Sequence, residues 1–539
     1  MTNRKRFTGF KTLAACCALL SSPLFGAAAD QPQWGQAWSR NMISEENNLA
    51  EAFDPKTGKN IKWTAKLGTE THSTPVVAGG RVFIGTNNGE PRDPKHQGDR
   101  GVLMCFDEKK GDLLWQLVVP KREEDPYHDW PKSGISSPAT VEGDRVYVVS
   151  NRGEVMCLDV RGMANGNDGP YRDEGVHMTP RGTNAQPQPL QAGPLDADII
   201  WIFDLTSGAG IWSHDAAHSS ILIQGQHLYL NSGTGVDNTH KRIRTPDAPS
   251  LVVLDKATGL LLARDDEHIA PNVFHCTWSA PSLGEVNERP LIFFAGGNGV
   301  VYSFDLIDQS SRREAGLPGK FETQDLKPSI EKRTLPSAPT SAGNNVLKLK
   351  KVWQFDFDPS APKEDVHRYN SNRRESPSNI YGMPVFFRNR IYVAGGGDLF
   401  WGKNEAWLKC LDATKTGDIT RSGEIWSYPL DRHVMSTPAV HDGLVFIADC
   451  GRKVHCVDAE TGKPYWTHEI KGDVWASPLA ADGKVYLGTR SGEFWVFAAS
   501  KEKRILSFIE LGSPISATAT AANGVLYVAT MTHLYAIQQ

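Results

Sequence analysis

Aromatic rings, imidazoles and acids recur in this 539-residue sequence at one kind of position, the few residues that precede a short apolar strand. They are His72, Ile135, Trp212 with His214 and Asp215, His275 with Trp278, Tyr381, Arg432 with His433, Trp475 and Ile515. Rings and imidazoles gathered at one mouth would suit a planar or polyol ligand, by stacking and by hydrogen bonding. The bland alternative is a lining that fills a channel with side chains and water. A metal cluster of His72, His214, His275 and His433 is conceivable. Sequence spacing does not bring them within bonding distance, so no metal is assigned. No Ser/His/Asp or paired-carboxylate motif stands out that would favour a hydrolase or lyase.

The elements that must position these residues come from a repeat. A joint of Asp, a Gly-containing turn and an apolar strand occurs as DPKTGKNIKW from Asp54, DEKKGDLLW from Asp107, DKATGLLL from Asp255, DATKTGDITRSGEIW from Asp412 and DAETGKPYW from Asp458. An Asp closing a strand can accept hydrogen bonds from turn amides, and Gly supplies the positive φ. Ahead of the joints lies a second pattern of strand, Gly turn, Val/Tyr/Phe/Ile strand, turn and third strand, as in STPVVAGGRVFIGTNNG (Ser73), SSPATVEGDRVYVVSNRGEVMCLD (Ser136), STPAVHDGLVFIADCGRKVHCVD (Ser436), ASPLAADGKVYLGTRSGEFWVF (Ala476) and SATATAANGVLYVATMTHLYAI (Ser516). Degenerate copies near Ala217, Ser279 and Gly382 bring the number to eight.

Eight four-stranded units predict an all-β fold, an eight-bladed β-propeller over residues 54–539. The segment around Trp63 is a fourth strand without its first three, and the last segment, from Ser516, supplies three strands and stops. Pairing the N-terminal strand with the C-terminal blade closes the ring and removes two edges. Trp63, Trp115, Trp201, Trp353, Trp426 and Trp466 fall on the expected fourth strands, where they should pack between blades rather than hold ligand.

Long insertions (90–100, 120–132, 235–249, 265–275, 359–379 and 398–406) cluster on the face that carries the channel mouth, where rigid scaffolds tend to bind. Two others, 161–198 and 308–345, leave the opposite face and are rich in Pro, Gly and Ser, so poor order is expected there.

Residues 1–29 have the layout of a secretory signal peptide: a basic start, an apolar Leu13–Leu24 run and small residues before Asp30. Leu13–Cys16 also resembles a lipobox, but almost no apolar segment precedes it. Residues 30–53 are an N-terminal extension. An exported protein, periplasmic or extracellular, is expected, as a monomer without a transmembrane segment. Removing Arg4, Lys5, Arg6 and Lys11 leaves 54 Lys and Arg against 62 Asp and Glu, a net charge of −8, which argues against nucleic acid as a partner. Of the six cysteines after the leader, four recur in the contexts MCFD, MCLD, KCLD and HCVD, equivalent strand positions that suit packing better than a disulfide framework.

The joint DAETGKPYW and the SPxxxDGxVYxGxxxG strands resemble the repeats of the pyrroloquinoline-quinone (PQQ)-like eight-bladed propellers. That superfamily includes PQQ-dependent alcohol dehydrogenases and the non-enzymatic propeller lipoprotein of the bacterial outer-membrane assembly machinery. The half from Lys409 to Met531 is also similar to secreted PQQ-like repeat proteins of planctomycete-type bacteria. In the enzymes the resemblance implies a quinone stacked between a Trp and a disulfide of adjacent Cys, calcium held by a Glu and an Asn, and an Asp base. The sequence after the leader has no adjacent Cys pair. On the enzyme reading, Trp475 or Trp278 would be the stacking floor, Arg490 or Arg432 a carboxylate partner, and Asp215 or Asp473 the base, although none sits in a recognisable family motif. The favoured expectation is a binding or scaffolding module for an envelope protein or a saccharide; the alternative is a calcium- and PQQ-dependent dehydrogenase of alcohols or sugars.

Overall fold

The computed structural model describes Met1 and residues 29–122, 128, 130–181, 188–215, 220–307 and 346–539; residues 2–28 of the expected leader and the 308–345 insertion lie outside the described residues. Eight sheets follow one another around a channel, antiparallel among their blade strands, three of them with a short parallel strand added at one edge. Their innermost strands are Val76–Ala78, Thr140–Glu142, Leu222–Gln224, Ser282–Val286, Val385–Phe387, Ala439–His441, Leu479–Ala481 and Thr520–Ala522, for blades one to eight. The ring closes as expected: Ile61–Lys66 pairs antiparallel with His533–Ile537, with Trp63 opposite Ala536. No helix among the described residues is long and apolar enough to cross a membrane.

The repeated joint has a mechanical explanation. Asp458 Oδ1 accepts from the amides of Glu460 and Thr461 and from the Thr461 hydroxyl, folding the chain back in a tight turn. Gly462 then sits at φ +71° with the Trp426 ring of the preceding blade against it, and a Cβ there would lie 2.6 Å from that ring. Each fourth-strand Trp also donates its indole N–H to a carbonyl of the next blade: Trp63 to Glu108, Trp115 to Val160, Trp201 to Lys256, Trp353 to Ala413, Trp426 to Ala459 and Trp466 to Ser500. Packing and hydrogen bond together fasten blade to blade. In the same register Cys105, Cys157, Cys410 and Cys456 lie opposite a Trp, and all six described cysteines are free and buried.

The N-terminal extension does more than lead into the ring. Residues 31–44 pass across the end of the channel and bond to every blade. The amides of Val77, Val141, Leu283, Phe386 and Ala480 donate to the carbonyls of Gln31, Pro32, Trp38, Ser39 and Met42. Asn41 exchanges two 2.8 Å hydrogen bonds with Val440, and Ser44 Oγ donates to the Ala521 carbonyl. The fully buried Arg40 donates to Ser220 Oγ, the Ser220 carbonyl and the Pro281 carbonyl, and also to the carbonyl of Trp34. Inner strands of a propeller leave one row of backbone groups unpaired toward the channel, and this segment satisfies them.

The 161–198 insertion departs from the expected poor order. Its described parts dock: Gln116 of blade one exchanges hydrogen bonds with Leu195 and Ala197, and His177 lies 3.0 Å from Glu154 in a buried pair. Polar composition suggested loose chain, but backbone pairing at the edge of blade one and the buried His177–Glu154 contact hold it.

Candidate functional site

Above the N-terminal segment the channel widens into a cavity of about 460 Å³, within the range of small-molecule sites. Trp34 lies among its walls and the indole N–H donates to Thr518 Oγ1, so the segment that seals one end of the channel also floors the other. Aromatic walls come from Trp130, Trp278, Tyr381, Phe400, Trp401 and Trp475, and polar ones from Glu70, His72, Asp215, His240, His275, Arg490, Ser133, Ser136 and Ser516.

Of the fourteen residues expected at the mouth, as a carboxylate partner or as a base, seven line this cavity: His72, Asp215, His275, Trp278, Tyr381, Trp475 and Arg490. The other seven are placed elsewhere. Trp212 is sandwiched on the rim, with the Arg244 guanidinium 3.8 Å from its ring centroid and His128 edge-on. His214 is buried behind the wall, its Nε2 3.0 Å from His275 Nε2. His433 is buried, with its backbone carbonyl accepting from Cys450. Arg432 is not among the lining residues, and Asp473 pairs with Arg452 on a half-exposed surface instead of facing the cavity as a base would. Ile135 and Ile515 are inter-blade core. The next residue, Ser136 or Ser516, lines the cavity instead.

On one wall an acid–imidazole chain runs across three blades. Asp398, wholly buried, accepts from the Phe400 and Trp401 amides at 2.9 and 2.6 Å, from Tyr381 Oη, and from His275 Nδ1 at 2.9 Å. Burial works against the Asp398 charge, but His275 and the amides outweigh it and keep the carboxyl below its ordinary pKa. For His275, burial lowers the pKa and the Asp398 carboxylate more than restores it, leaving it raised. His214 is pushed down to about 4 by burial first, with the imidazoles of His275 and His240 adding to it against Asp215. On the opposite wall Glu70 lies 3.8 Å from His72, and Arg490 caps the Trp475 ring at 4.1 Å while donating to Ser516 Oγ. Trp475 Nε1, Ser136 Oγ and Asp215 Oδ1 are buried in these walls without a hydrogen-bond partner among the described residues.

Sequence reasoning missed Trp34, Glu70, Trp130, His240, Asp398, Phe400 and Trp401. Five of them, Trp130, His240, Asp398, Phe400 and Trp401, belong to insertions already marked on the mouth face. A ring or imidazole inside such an insertion was the available signal; Trp34 carried none, because nothing in residues 30–53 tells that they enter the channel.

Residues 39–162 and 404–537 match the family model described as outer membrane protein assembly factor BamB. Together these stretches make up just under half of the chain, which over them is similar to that family. It is 24% identical over 486 residues to a lupanine 17-hydroxylase [cytochrome c] of a Pseudomonas species, covering 85% of this chain and 60% of that protein. With BamB of Nitrosomonas eutropha it shares 21% identity over 229 residues, 35% of this chain and 53% of the relative. The chain thus spans under two thirds of these relatives' lengths. Among solved structures, a europium-containing methanol dehydrogenase superposes with a TM-score of 0.54 at 11% identity, over 95% of this chain and 98% of that one, which supports the fold.

The quinone-and-calcium arrangement implied by the dehydrogenases can be tested on these walls. Trp475, Trp278 and Arg490 would suit a planar polycarboxylate. The calcium half does not fit: this hard cation takes six to eight oxygen ligands. The described lining offers two carboxylates, Glu70 and Asp215, and no Asn. Glu70 is paired with His72, and Asp215 stands among imidazoles. The paired-cysteine half is also unmatched, since every described cysteine is free.

Proposed function

We propose that this protein is an exported binding module whose ligand, a small saccharide or related polyol, occupies the channel mouth. One observation carries the reading: a cavity closed at its base and walled by seven aromatic rings, with Glu70, His72, Asp215, His275 and Arg490 among its polar lining. Flat rings cover the apolar faces of a sugar, and fixed donors and acceptors meet its hydroxyls. The likeness to BamB also supports a protein partner in the envelope, docked on the insertions around the mouth.

Titration of the purified chain with a panel of mono- and disaccharides, followed by tryptophan fluorescence and calorimetry, tests the reading. Saturable binding to at least one sugar is expected, weakened at least ~10-fold in Trp278→Ala, a change of about 1.4 kcal/mol. The lupanine hydroxylase likeness supplies the competing reading, a quinoprotein dehydrogenase. Micromolar binding of PQQ with calcium and dye reduction by alcohols, with no sugar held in the absence of cofactor, would replace the proposal with that one.

A further inference from the structure

The imidazoles behind the cavity wall pose a problem of lone pairs. His214 Nε2 and His275 Nε2 face each other at 3.0 Å. On His214, Nδ1 lies 2.9 Å from the Val236 carbonyl, which can only accept, so Nδ1 carries the proton. On His275, Nδ1 lies 2.9 Å from the Asp398 carboxylate, which already accepts from two amides and a phenol, so it too carries a proton. Two neutral rings so oriented aim two lone pairs at one another, and something electron-poor must sit between or beside them. A shared proton would satisfy that pair alone. It would not account for what surrounds the pair: the ligand atoms of His214, His240 and His275 lie within 4.8 Å of one another, and Asp215 Oδ2 is 3.4 Å from His214 Nε2 while its Oδ1 is buried without a partner. Asp215 is held at φ +51°, an unusual backbone setting for a residue other than Gly.

We propose that His214, His240 and His275, with Asp215, form a binding site for a single divalent transition metal of the zinc type, opening on the channel-mouth cavity. Nitrogens about 2.0–2.1 Å from such an ion sit roughly 3.0–3.4 Å apart, the spacing of the His214–His275 pair. Imidazole with one carboxylate suits zinc, cobalt, nickel or copper and disfavours calcium. Outer partners are in place as well: the Val236 carbonyl and Asp398 fix two ring orientations, as second-layer acceptors do at zinc sites. His240 is carried by a turn that Asp237 braces, its side chain bonded to Thr239 and Arg242 and its carbonyl accepting from the His240 amide. Asp215, His240 and His275 line the cavity, so an ion there would have a coordination position facing the contents.

The inference builds on the channel-mouth site of the preceding proposal, but its test uses no sugar, so loss of one leaves the other standing. Untagged full-length protein, stripped with EDTA, is titrated with Co(II) and followed by visible d–d absorption, then back-titrated with Zn(II) and Ca(II). One equivalent of Co(II), displaced by Zn(II) and not by Ca(II), is expected. His240→Ala should weaken binding at least ~10-fold, and Asp398→Asn, which removes a positioning residue for His275, by about 10-fold or more. His240 is half-buried and its variant is checked for an unchanged melting curve, which keeps the test valid if His214 or His275 variants do not fold. No Co(II) uptake by the stripped protein would leave a shared proton as the explanation and overturn the proposal. Uptake undiminished in both His240→Ala and Asp215→Asn places the ion elsewhere and overturns it equally.

Discussion

The two ends of the channel are built from the same eight inner strands and have opposite characters. At one end, residues 31–44 take up backbone groups and side-chain oxygens from all eight blades, with Arg40 fully buried among carbonyls. At the other, rings and ionisable groups surround about 460 Å³ of space. An end whose polar groups are paired and packed is a structural seal, and an end that keeps open space lined by rings and ionisable groups is where a ligand can gain. The contrast places binding at the mouth and stability at the seal.

The strongest way to break the contrast is to open the seal. Arg40→Ala leaves three blade acceptors unmet, on Ser220 and Pro281, and removes a fully packed side chain, so a loss of about 3 kcal/mol is expected in denaturant unfolding. Ligand binding at the mouth should fall with it, because the Trp34 carbonyl is also held by Arg40. A variant of native stability would show that the seal does not carry the load assigned to it.

Acid should separate the ends next. Asp358 and Lys403 form a buried pair supporting the 359–379 and 398–406 insertions that carry Phe400 and Trp401. Burial opposes the Asp358 charge, but Lys403, Ser360 and Ser378 outweigh it and lower the carboxyl to about 2. Since the folded-state value lies below the ordinary 3.8, the pair stabilises above that pH and is lost as pH falls toward 2, a contribution of about 2 kcal/mol at most. Hydrogen exchange between pH 5 and 2 should show residues 398–406 loosening before residues 31–44, whose contacts to the inner strands are mainly amide and carbonyl. Asp358→Asn should remove that difference in pH response; loosening of both ends together would contradict it.

The smallest effect is expected from trimming the shared floor. Trp34→Ala removes a partly buried ring and one indole hydrogen bond, costing about 1 kcal/mol of stability while deepening the cavity. Sugar affinity should drop by more than stability does, and equal losses would mean that Trp34 serves only the seal.

Much of this was legible in the residues themselves. The joints with their Asp, Gly and Trp announced blades and fasteners, and the incomplete first and last units announced closure, which the Ile61–Lys66 pairing bears out. A rule as simple as taking residues ahead of each inner strand found His72, Asp215, His275, Trp278, Tyr381 and Trp475 on the cavity, and Arg490 came from the enzyme resemblance. It failed at Trp212, Arg432 and His433 by a few residues, because a loop's turn decides which of its side chains faces inward. Asp398 was invisible for a different reason: it stands 123 residues from the His275 it orients, and nothing local to either marks the pair.

Local chemistry therefore determined the repeat, the eightfold ring and the face on which elaboration gathers, since turns, strand alternation and inter-blade packing act over tens of residues and leave a periodic trace. Tertiary structure alone decided that the N-terminal extension enters the channel and that His214, His240, His275 and Asp215 converge. Those contacts join segments with no common period, and closing the ring is what brings them within a few ångströms.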